Sequence, residues 1–409
     1  MSEPAASASE PTYPVVDFAP LDPRVHDDYW NVLTEVREKC PVGWSTSQWS
    51  MTESGQWIIN THRDVMAAAT DWQTFSSADG VSSVQLPLDI LRLIPVETDP
   101  PTHREIRKAL NPFFTPYALE EKVGEINEVV AGLLEGCLAQ EGPVDFVSSF
   151  TAKLPPVVFL GPGFLDSTEE QGRQLLELVD IMLTKPELTM EAAPKLLAWC
   201  GELLESRRAA GRKEDLAGVI AHMGFGEGGL HMDEKQRIET INLAVMAGME
   251  TTMGGLGATA WLLGTRPELR ARLRDADERT IDRAIEEFLR FATPVSQLSR
   301  TATKDVEMGG CPIQKGDRVM LNWAAANLDP AQFPDPLTID IDRPNVASHV
   351  AFGSGIHRCL GAHLARREIK AMVRAICALS RFEVVPDAEI KWRASMARGP
   401  VAVPVLLAR

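Results

Sequence analysis

The segment Leu243–Leu263 constrains the fold more than any other part of this chain. It is apolar and about as long as the ~20 residues that a membrane-spanning helix needs. It also contains Glu250, three threonines and four glycines, and the residues on either side are mixed in charge. We therefore predict a buried central helix over Gln236–Leu263 rather than a membrane span, and such a helix needs other helices around it.

Helical periodicity continues through most of the chain up to Thr293, and short extended runs joined by Gly-Gly and Lys-Gly turns follow. This pattern predicts a mainly α fold with a small β part that lies mostly late in the chain. No linker is long or polar enough to divide the chain, so we expect a loose N-terminal segment over 1–20 and a single domain over 21–409. The other predicted helices include Asp28–Lys39, His62–Ala69, Pro101–Leu110, Tyr117–Leu138 and Gly361–Ser380.

Charge and cysteine content exclude several classes of protein. The net charge of −16 disfavours binding to the phosphate backbone of nucleic acid. The six cysteines include no Cys-x-x-Cys pair and are sparse for 409 residues, unlike those of a secreted disulfide scaffold. The first residues show no basic start and no apolar core, so we expect a cytoplasmic monomer that contacts neither nucleic acid nor membrane.

Cys359 lies just before the last long predicted helix, within the sequence FGSGIHRCLG. A helix N-terminus favours the thiolate form through its dipole and its free backbone N–H groups. Glycines on both sides of Cys359 permit tight turns and the close approach of a flat ligand. A buried structural cysteine in a glycine-rich turn would have the same local sequence, so the thiol alone leaves both interpretations open.

The residues around Cys359 resemble the signature of the cytochrome P450 superfamily, Phe-x-x-Gly-x-x-x-Cys-x-Gly. Phe352, Gly355, Cys359 and Gly361 match it, and His357 is common in bacterial members. The resemblance implies a triangular, helix-rich cytochrome P450 domain that holds haem b (iron protoporphyrin IX) between the long central helix and the cysteine loop. It also implies that Cys359 is the proximal ligand of the haem iron and that the other four residues belong to the cofactor-binding site.

Glu287-Phe288-Leu289-Arg290 resembles the Glu-x-x-Arg pair of the same family. On a helix this spacing places both side chains on one face, within reach of a salt bridge. The same spacing occurs at three other places, but only Glu287 lies just upstream of the short strands, where the family has its pair. The segment that ends at Arg343 resembles the part that completes a charged network, so the resemblance implies structural roles for Glu287, Arg290 and Arg343.

Ala247-Gly248-Met249-Glu250-Thr251-Thr252 lies in the middle of the central helix and resembles the oxygen-activating motif of the family. Because oxygen activation consumes protons, the resemblance implies catalytic roles for Glu250 as a proton relay and for Thr251 as a hydroxyl that holds a water. Ala247 and Gly248 would border the cofactor, with Gly248 leaving room for dioxygen and for a local widening of the helix. A salt-bridged glutamate and a threonine bonded to its own helix are the structural alternative.

Haem carries two propionates that need cationic or hydrogen-bonding partners. His103 and Arg107 lie four residues apart on a predicted helix, so both point one way, and they resemble the family's His-x-x-x-Arg pair. Arg300 and His357 match the other usual propionate partners. Each residue alone would be an ordinary surface arginine or a satisfied histidine, whereas the set of four in chain order implies cofactor binding.

The resemblance implies a haem-thiolate monooxygenase that inserts one oxygen atom of O2 into a C–H bond or a double bond. The sequence shows no flavin or iron–sulfur module, so we expect electrons from NAD(P)H to arrive through a separate ferredoxin and its ferredoxin reductase. Two other functions stay open. Glu250 and Thr251 disfavour a peroxide-driven enzyme, and a non-catalytic haem sensor or carrier would not need them.

The substrate pocket is predicted from positions rather than from a motif. The residues expected to line it, besides Ala247, are Val84, Leu86, Leu88, Ala244, Val295, Leu298, Met396 and Ala397. This aliphatic set, with Gln297 and Arg398 as polar contacts, favours a small and mostly apolar substrate such as a terpenoid, a fatty-acid derivative or an alkyl aromatic. Each of these residues is equally consistent with ordinary core packing.

Basic residues gather near Cys359 although the chain is acidic overall. They are Arg104, Lys108, Arg358, Arg366, Arg367, Lys370 and Arg374. The last four lie on the helix that follows Cys359, where Arg366, Lys370 and Arg374 form one stripe. We interpret the set as a docking surface for an acidic ferredoxin, and a solvated helix face is the alternative.

Overall fold

Helices make up about 53% of the structure, which confirms the mainly α fold. The computed structural model describes residues 12–19, 22, 25, 28–47, 55–82, 91–184, 188–224, 231–393 and 397–409. The helices of the first half are α1 (Tyr29–Lys39), α2 (His62–Thr70), α3 (Thr102–Leu110), α4 (Pro116–Glu120), α5 (Val123–Leu138), α6 (Leu154–Leu160), α7 (Glu169–Thr184), α8 (Thr189–Ala209) and α9 (Leu216–His222). Those of the second half are α10 (Glu234–Thr265), α11 (Pro267–Arg274), α12 (Glu278–Ala292), α13 (Trp323–Asn327) and α14 (Ala362–Ala378).

Helix α10 is the central helix that the apolar segment predicts. It begins with a capping box, in which the Asp233 carboxylate accepts the Gln236 N–H at 2.8 Å and the Gln236 side chain accepts the Asp233 N–H at 2.9 Å. Its residues from Thr252 to Ala260 are all buried, because helices from both halves of the chain pack around it. Among the described residues, no helix is long and apolar enough to cross a membrane.

Glycines on α10 let the C-terminal segment pack directly against the helix. A Cβ at Gly254 would lie 2.5 Å from the carbonyl oxygen of Arg398, and a Cβ at Gly257 would lie 2.9 Å from Pro400. Only glycine permits an approach this close without a shift of the backbone. The turn around Arg398 is therefore held against α10, next to the helical segment that carries Glu250 and Thr251.

The β part lies mostly late in the chain, as expected, although the main sheet also includes strands from the start of the chain. The strands are β1 (Val15–Val16), β2 (Val42–Ser45), β3 (Gln56–Ile59), β4 (Phe75–Ser76), β5 (Val144–Asp145), β6 (Gln297–Ala302), β7 (Val306–Met308), β8 (Cys311–Ile313), β9 (Arg318–Asn322), β10 (Arg381–Val384) and β11 (Pro404–Ala408). Six of them form one sheet in the order β1-β2-β3-β9-β6-β4, β7 pairs with β8, and β10, β11 and β5 form a third sheet. Strands β1 and β4 have two residues each, too few to show an alternating pattern in the sequence.

The N-terminal segment that we expected to be loose lies partly outside the described residues. Within its described part, Val15–Val16 pairs in parallel with Trp44 and Ser45, and Phe18 is 2% exposed. A short ladder at Val15–Val16 and the buried side chain of Phe18 therefore hold this part of the segment on the rest of the protein. The single domain over 21–409 stays a prediction.

Candidate active site

A cavity of about 260 Å³ lies between α10 and the cysteine loop, which consists of residues 352–361 before α14. Most of its walls are apolar, and its polar lining residues include Arg107, Thr251, Arg300, His357 and Cys359. The residues predicted from the sequence that line it are Arg107, Ala244, Ala247, Gly248, Thr251, Val295, Leu298, Arg300, Phe352, His357, Cys359 and Gly361. Residues from α3, α10, β6 and the cysteine loop are thus brought together around one space.

Cys359 presents its accessible surface to this cavity. Its N–H donates to the carbonyl oxygen of Phe352 at 2.8 Å, and its sulfur accepts the N–H of Gly361. Burial raises the pKa of the thiol, because the Gly361 N–H and the nearby arginines only partly offset the loss of water. A bound metal cation would supply the missing positive charge and deprotonate the thiol. Among the described residues no group of three or more His, Cys, Asp or Glu side chains could hold a metal ion by itself, so the donor set is one thiol.

Two glycines of the loop have different functions. Gly355 has φ +68°, and a Cβ there would collide with the carbonyl oxygen of Ala69 on α2, so glycine is needed to seat the loop on that helix. Gly355 is not among the cavity-lining residues. Gly361 does line the cavity, and apart from its chain neighbours no atom of the described residues lies within 4 Å of the position that its Cβ would take. A flat ligand can therefore lie directly against Gly361.

Basic side chains are concentrated at one end of the cavity. Arg107, Arg300 and His357 line it, and the ring of His103 lies 4.3 Å from that of His357. Within the described part of the chain, His103 Nε2 and both ring nitrogens of His357 are buried without a hydrogen-bond partner. Burial and the neighbouring cations lower the pKa of His357 to about 2 and that of His103 to about 4. Such a cluster is suited to an anionic group that enters from the cavity.

The middle of α10 places Ala247, Gly248 and Thr251 on the cavity. The helix remains α-helical through this segment, so the predicted local widening is absent. Instead the Thr251 hydroxyl donates to the Ala247 carbonyl oxygen at 2.6 Å. Glu250 is not among the lining residues, and its charge acts on Arg393 of the C-terminal segment. Thr251 therefore lies on the cavity side of α10 with its hydroxyl bonded to the helix, whereas Glu250 does not line the cavity.

Glu287, Arg290 and Arg343 form one buried network behind the cysteine loop. Arg290 donates to both carboxylate oxygens of Glu287 at 2.8 Å, and Arg343 Nε lies 3.1 and 3.2 Å from the same two oxygens. Their remaining N–H groups bind backbone carbonyl oxygens, among them those of Asn327 and Pro334. The side chains of Glu287 and Arg290 are 0% exposed and that of Arg343 is 4% exposed, so these charges are stabilised by one another and by backbone carbonyl oxygens rather than by water.

The predicted substrate residues are placed unequally. Ala244, Val295 and Leu298 line the cavity, and Ala397 is buried beside it in a bridge with Val295. Val84, Leu86, Leu88 and Met396 lie outside the described residues. Gln297 and Arg398 were expected to be polar contacts, but neither is among the lining residues. Gln297 is buried in the main sheet, and the Arg398 guanidinium lies over the ring of Tyr29 at 3.7 Å.

Sequence reasoning missed several apolar and polar lining residues. They include Phe114, Phe159, Leu216, Thr240 and Trp323. Thr240 could have been found, because it continues the helical stripe of Ala244, Ala247 and Thr251 at spacings of three and four residues. The others lie on elements whose packing against α10 is not visible in the local sequence.

The basic stripe on α14 is paired with an acidic stripe on α12, which corrects its interpretation as an open cationic surface. Arg366 binds Glu286, Lys370 binds Asp282 and Glu278 at 2.6 Å each, and Arg374 binds Glu278. The edge residue Arg367 binds Glu120. Arg104, Lys108 and Arg358 are exposed, and none of the described ion pairs includes them. Of the seven cations in the predicted docking surface, these three are therefore the ones that the described ion pairs leave unpaired.

Comparisons with known proteins agree with this arrangement. The family model described as Cytochrome P450 matches residues 205–402. Nocardicin C N-oxygenase of Nocardia uniformis subsp. tsuyamanensis is 31% identical over 411 residues, covering 96% of this chain and 98% of that protein. 6-Deoxyerythronolide B hydroxylase of Saccharopolyspora erythraea is 30% identical over 401 residues, covering 93% and 96%. The solved structure of Mycobacterium marinum cytochrome P450 CYP268A2 in complex with pseudoionone is 25% identical with a TM-score of 0.83, covering 93% of this chain and 94% of that one.

The chain belongs to the cytochrome P450 family, and it is a monooxygenase of the kind that binds haem and uses O2. Its cavity fits that cofactor on three independent features. A thiol and an open glycine position face one space, α10 closes the opposite side, and histidine nitrogens that have no hydrogen-bond partner among the described residues lie beside arginines at the edge.

Proposed function

We propose that Cys359 is the thiolate ligand of haem and that the enzyme inserts one oxygen atom of O2 into a mostly apolar organic substrate. The observation that carries this proposal is the position of the Cys359 sulfur, which faces α10 across a cavity lined by Thr251. Bound at this place, haem supplies the iron that activates dioxygen. The N–H of Gly361 donates to the sulfur and tunes its charge.

The basic end of the cavity would hold the propionates. Arg107 and Arg300 supply charge, and His357 and His103 supply nitrogens that lack partners among the described residues. Burial lowers the pKa of Arg300 to about 10, so this arginine remains protonated at neutral pH. Arg107 also donates to the carbonyl oxygen of Arg358 at 2.8 Å, which ties the propionate end to the cysteine loop.

Thr251 and Glu250 would deliver protons. The Thr251 hydroxyl donates to the Ala247 carbonyl in this structure, and rotation about χ1 would turn it towards the cavity, where it can hold a water. Glu250 does not line the cavity and its charge acts on Arg393, so we assign it the role of taking protons from outside the cavity and passing them to that water. In this proposal Thr251 holds the water and Glu250 passes protons to it.

The substrate would occupy the apolar part of the cavity. Ala244, Val295, Leu298, Phe114 and Phe159 offer it aliphatic and aromatic surface. We propose a terpenoid, a fatty-acid derivative or an alkyl aromatic on the basis of this lining, and the similar M. marinum structure is in complex with pseudoionone. The test is a titration of such compounds into the haem-loaded protein, followed by the Soret shift that displacement of an iron-bound water produces. Saturable shifts with an apolar series and none with polar analogues of the same size would support the proposal, and the reverse order would refute it.

Electrons would come from NAD(P)H through a ferredoxin reductase and a ferredoxin. The exposed cations Arg104, Lys108 and Arg358 offer an acidic ferredoxin a docking surface on the thiolate side. The first electron transfer from an acidic ferredoxin should slow with ionic strength, and Arg104→Glu should slow it further. Lys304→Glu, on the exposed turn after β6, is the matched control and should leave the rate unchanged. A rate that is insensitive to salt and to Arg104→Glu would place docking elsewhere.

Turnover separates this function from the peroxide-driven alternative. The reconstituted system should form product with O2, NAD(P)H and both redox proteins, and more slowly with hydrogen peroxide alone. Faster product formation from peroxide would favour the alternative. The monomeric state and the cytoplasmic location stay predictions.

A further inference from the structure

Arg366 and Glu286 form a two-pronged ion pair that the proposed function does not use. The Nε and Nη2 atoms of Arg366 donate to the two carboxylate oxygens of Glu286 at 2.5 and 2.7 Å. Nη1 donates to the carbonyl oxygen of Ala362 at 3.2 Å. The two side chains are 23% and 17% exposed, so the pair is largely shielded from solvent. This fork geometry fixes the plane of the guanidinium.

His349 completes the pair from a third side, and its side chain is 2% exposed. Its Nδ1 accepts the N–H of Ala351 at 3.1 Å, which assigns the proton to Nε2, and Nε2 donates to Glu286 at 2.8 Å. Burial opposes ionisation of Glu286, but the hydrogen bonds from Arg366 and His349 outweigh it and hold the pKa of this carboxyl at about 2. The assembly is therefore one carboxylate, one guanidinium and a neutral imidazole, with no net charge.

Phe352 joins this assembly to the cysteine loop. The guanidinium carbon of Arg366 lies 4.3 Å from the centre of the Phe352 ring, and the His349 ring centre lies 6.0 Å from it. Phe352 lines the cavity, and its carbonyl oxygen accepts the N–H of Cys359 at 2.8 Å. The positive charge of Arg366 also acts on the Cys359 sulfur. A change at Arg366 or Glu286 can therefore reach the ligand through contact and through charge.

We propose that the Arg366–Glu286 pair, held by His349 against Phe352, tunes the reduction potential of the haem iron. The proposal rests on the proposed function, since it requires haem at Cys359. In the reduction, one electron from an external donor such as an iron–sulfur protein converts ferric to ferrous iron, and no bond to Arg366 or Glu286 forms or breaks. Both are positioning residues, because they act through Phe352 and through their charge.

The two charges act in opposite directions on the added electron. An unpaired Arg366 would stabilise the reduced state and raise the potential, whereas an unpaired Glu286 would destabilise that state and lower the potential. In the intact pair the two effects nearly cancel. Loss of either partner should therefore move the potential, with a sign that depends on which charge remains.

The experiment measures the midpoint potential of the haem-loaded, substrate-free protein by spectroelectrochemistry. Glu286→Gln should raise the ferrous-to-ferric ratio at a fixed applied potential by up to about tenfold, which equals about 59 mV for one electron. Arg366→Gln should lower that ratio by a similar factor. The double variant Glu286→Gln/Arg366→Gln should return close to wild type, and Arg366→Lys, which keeps the charge, should shift less than Arg366→Gln.

Glu278→Gln is the matched control, because it removes the same charge from the same helix at a site that pairs with Lys370 and Arg374. Its potential should equal that of wild type. Unchanged potentials in both single variants, shifts of the same sign in both, or an equal shift in the control would overturn the proposal. The carbon monoxide spectrum of the reduced wild type distinguishes failure of the tuning proposal from failure of the proposed function. A thiolate-type band with unaltered potentials refutes only the tuning, whereas absence of that band refutes the proposed function.

Discussion

Arg290 and Arg398 are buried to almost the same degree but are held in opposite ways. Their exposed fractions are 0% and 3%. Arg290, behind the cysteine loop, binds both carboxylate oxygens of Glu287 and backbone carbonyl oxygens. Within the described part of the chain, Nε, Nη1 and Nη2 of Arg398 have no hydrogen-bond partner. The Arg398 guanidinium instead lies over three aromatic rings, those of Tyr29 at 3.7 Å, Trp392 at 4.1 Å and Trp30 at 4.7 Å.

The ion-pair network around Arg290 fails if any one of its charged residues is lost, whereas the aromatic rings around Arg398 do not depend on its charge. A buried ion pair is costly to break, because removal of one partner strands the other charge. Aromatic faces attract a cation with about 2 kcal/mol at most and leave its N–H groups unsatisfied. Burial accordingly lowers the pKa of Arg398 to about 10, although the electrostatic effect of Tyr29 opposes the shift. The thiolate side should be intolerant of substitution, and the C-terminal turn should tolerate it.

The largest effect should follow Glu287→Gln. The change strands the charges of Arg290 and Arg343 in a site that water does not reach, so we expect the free energy of unfolding to fall by about 3–5 kcal/mol. Haem content of the purified protein should fall with it, because the network supports the cysteine loop. Chemical denaturation and the haem-to-protein ratio are the measurements.

Glu170→Gln provides the control for Glu287→Gln. Glu170 and Arg173 have the same Glu-x-x-Arg spacing on α7, but both side chains are exposed to 60% or more. Exposed pairs contribute little to stability, so the unfolding transition should not change measurably. An equal loss of unfolding free energy in Glu287→Gln and Glu170→Gln would show that burial does not make the Glu287 pair more important for stability than the exposed Glu170 pair.

A smaller effect should follow Arg398→Met. The variant loses the attraction to three rings but also removes three unsatisfied donors, and a methionine fills similar space. The two contributions oppose each other, so the free energy of unfolding should stay within about 1 kcal/mol of wild type. A loss as large as that of Glu287→Gln would contradict the comparison and would indicate an acceptor for Arg398 that the rings do not provide.

The smallest effect on stability and a clear effect on chemistry should follow Thr251→Ala. Among the described residues the hydroxyl bonds to its own helix alone, so the free energy of unfolding should change by about 0.5 kcal/mol or less. Product formed per NAD(P)H consumed should fall, with the missing electrons recovered as hydrogen peroxide. Glu250→Gln should slow turnover with less diversion, because the hydroxyl remains. Unchanged coupling in Thr251→Ala would remove Thr251 from proton delivery.

The contrast between Arg290 and Arg398 also explains which contacts the sequence could predict and which it could not. Glu287 and Arg290 lie within one helical turn, so their pairing is local and the spacing alone predicts it. Arg398 is positioned by rings from α1 and from residue 392, and no local pattern connects it to them. The α14 stripe lies between these cases. Glu278, Asp282 and Glu286 repeat at the same spacing of four as Arg366, Lys370 and Arg374, but only the packing of α12 on α14 shows that the two stripes meet.

The central claim is that the sulfur of Cys359 binds the haem iron, and the carbon monoxide spectrum of the reduced protein tests it most directly. Thiolate ligation predicts an absorption band near ~450 nm for the wild type. Cys359→His should keep haem through the propionate contacts and move the band towards ~420 nm, as imidazole ligation implies. A well-folded wild type that absorbs only near ~420 nm, or a Cys359→His variant that keeps the band near ~450 nm, would contradict the assignment.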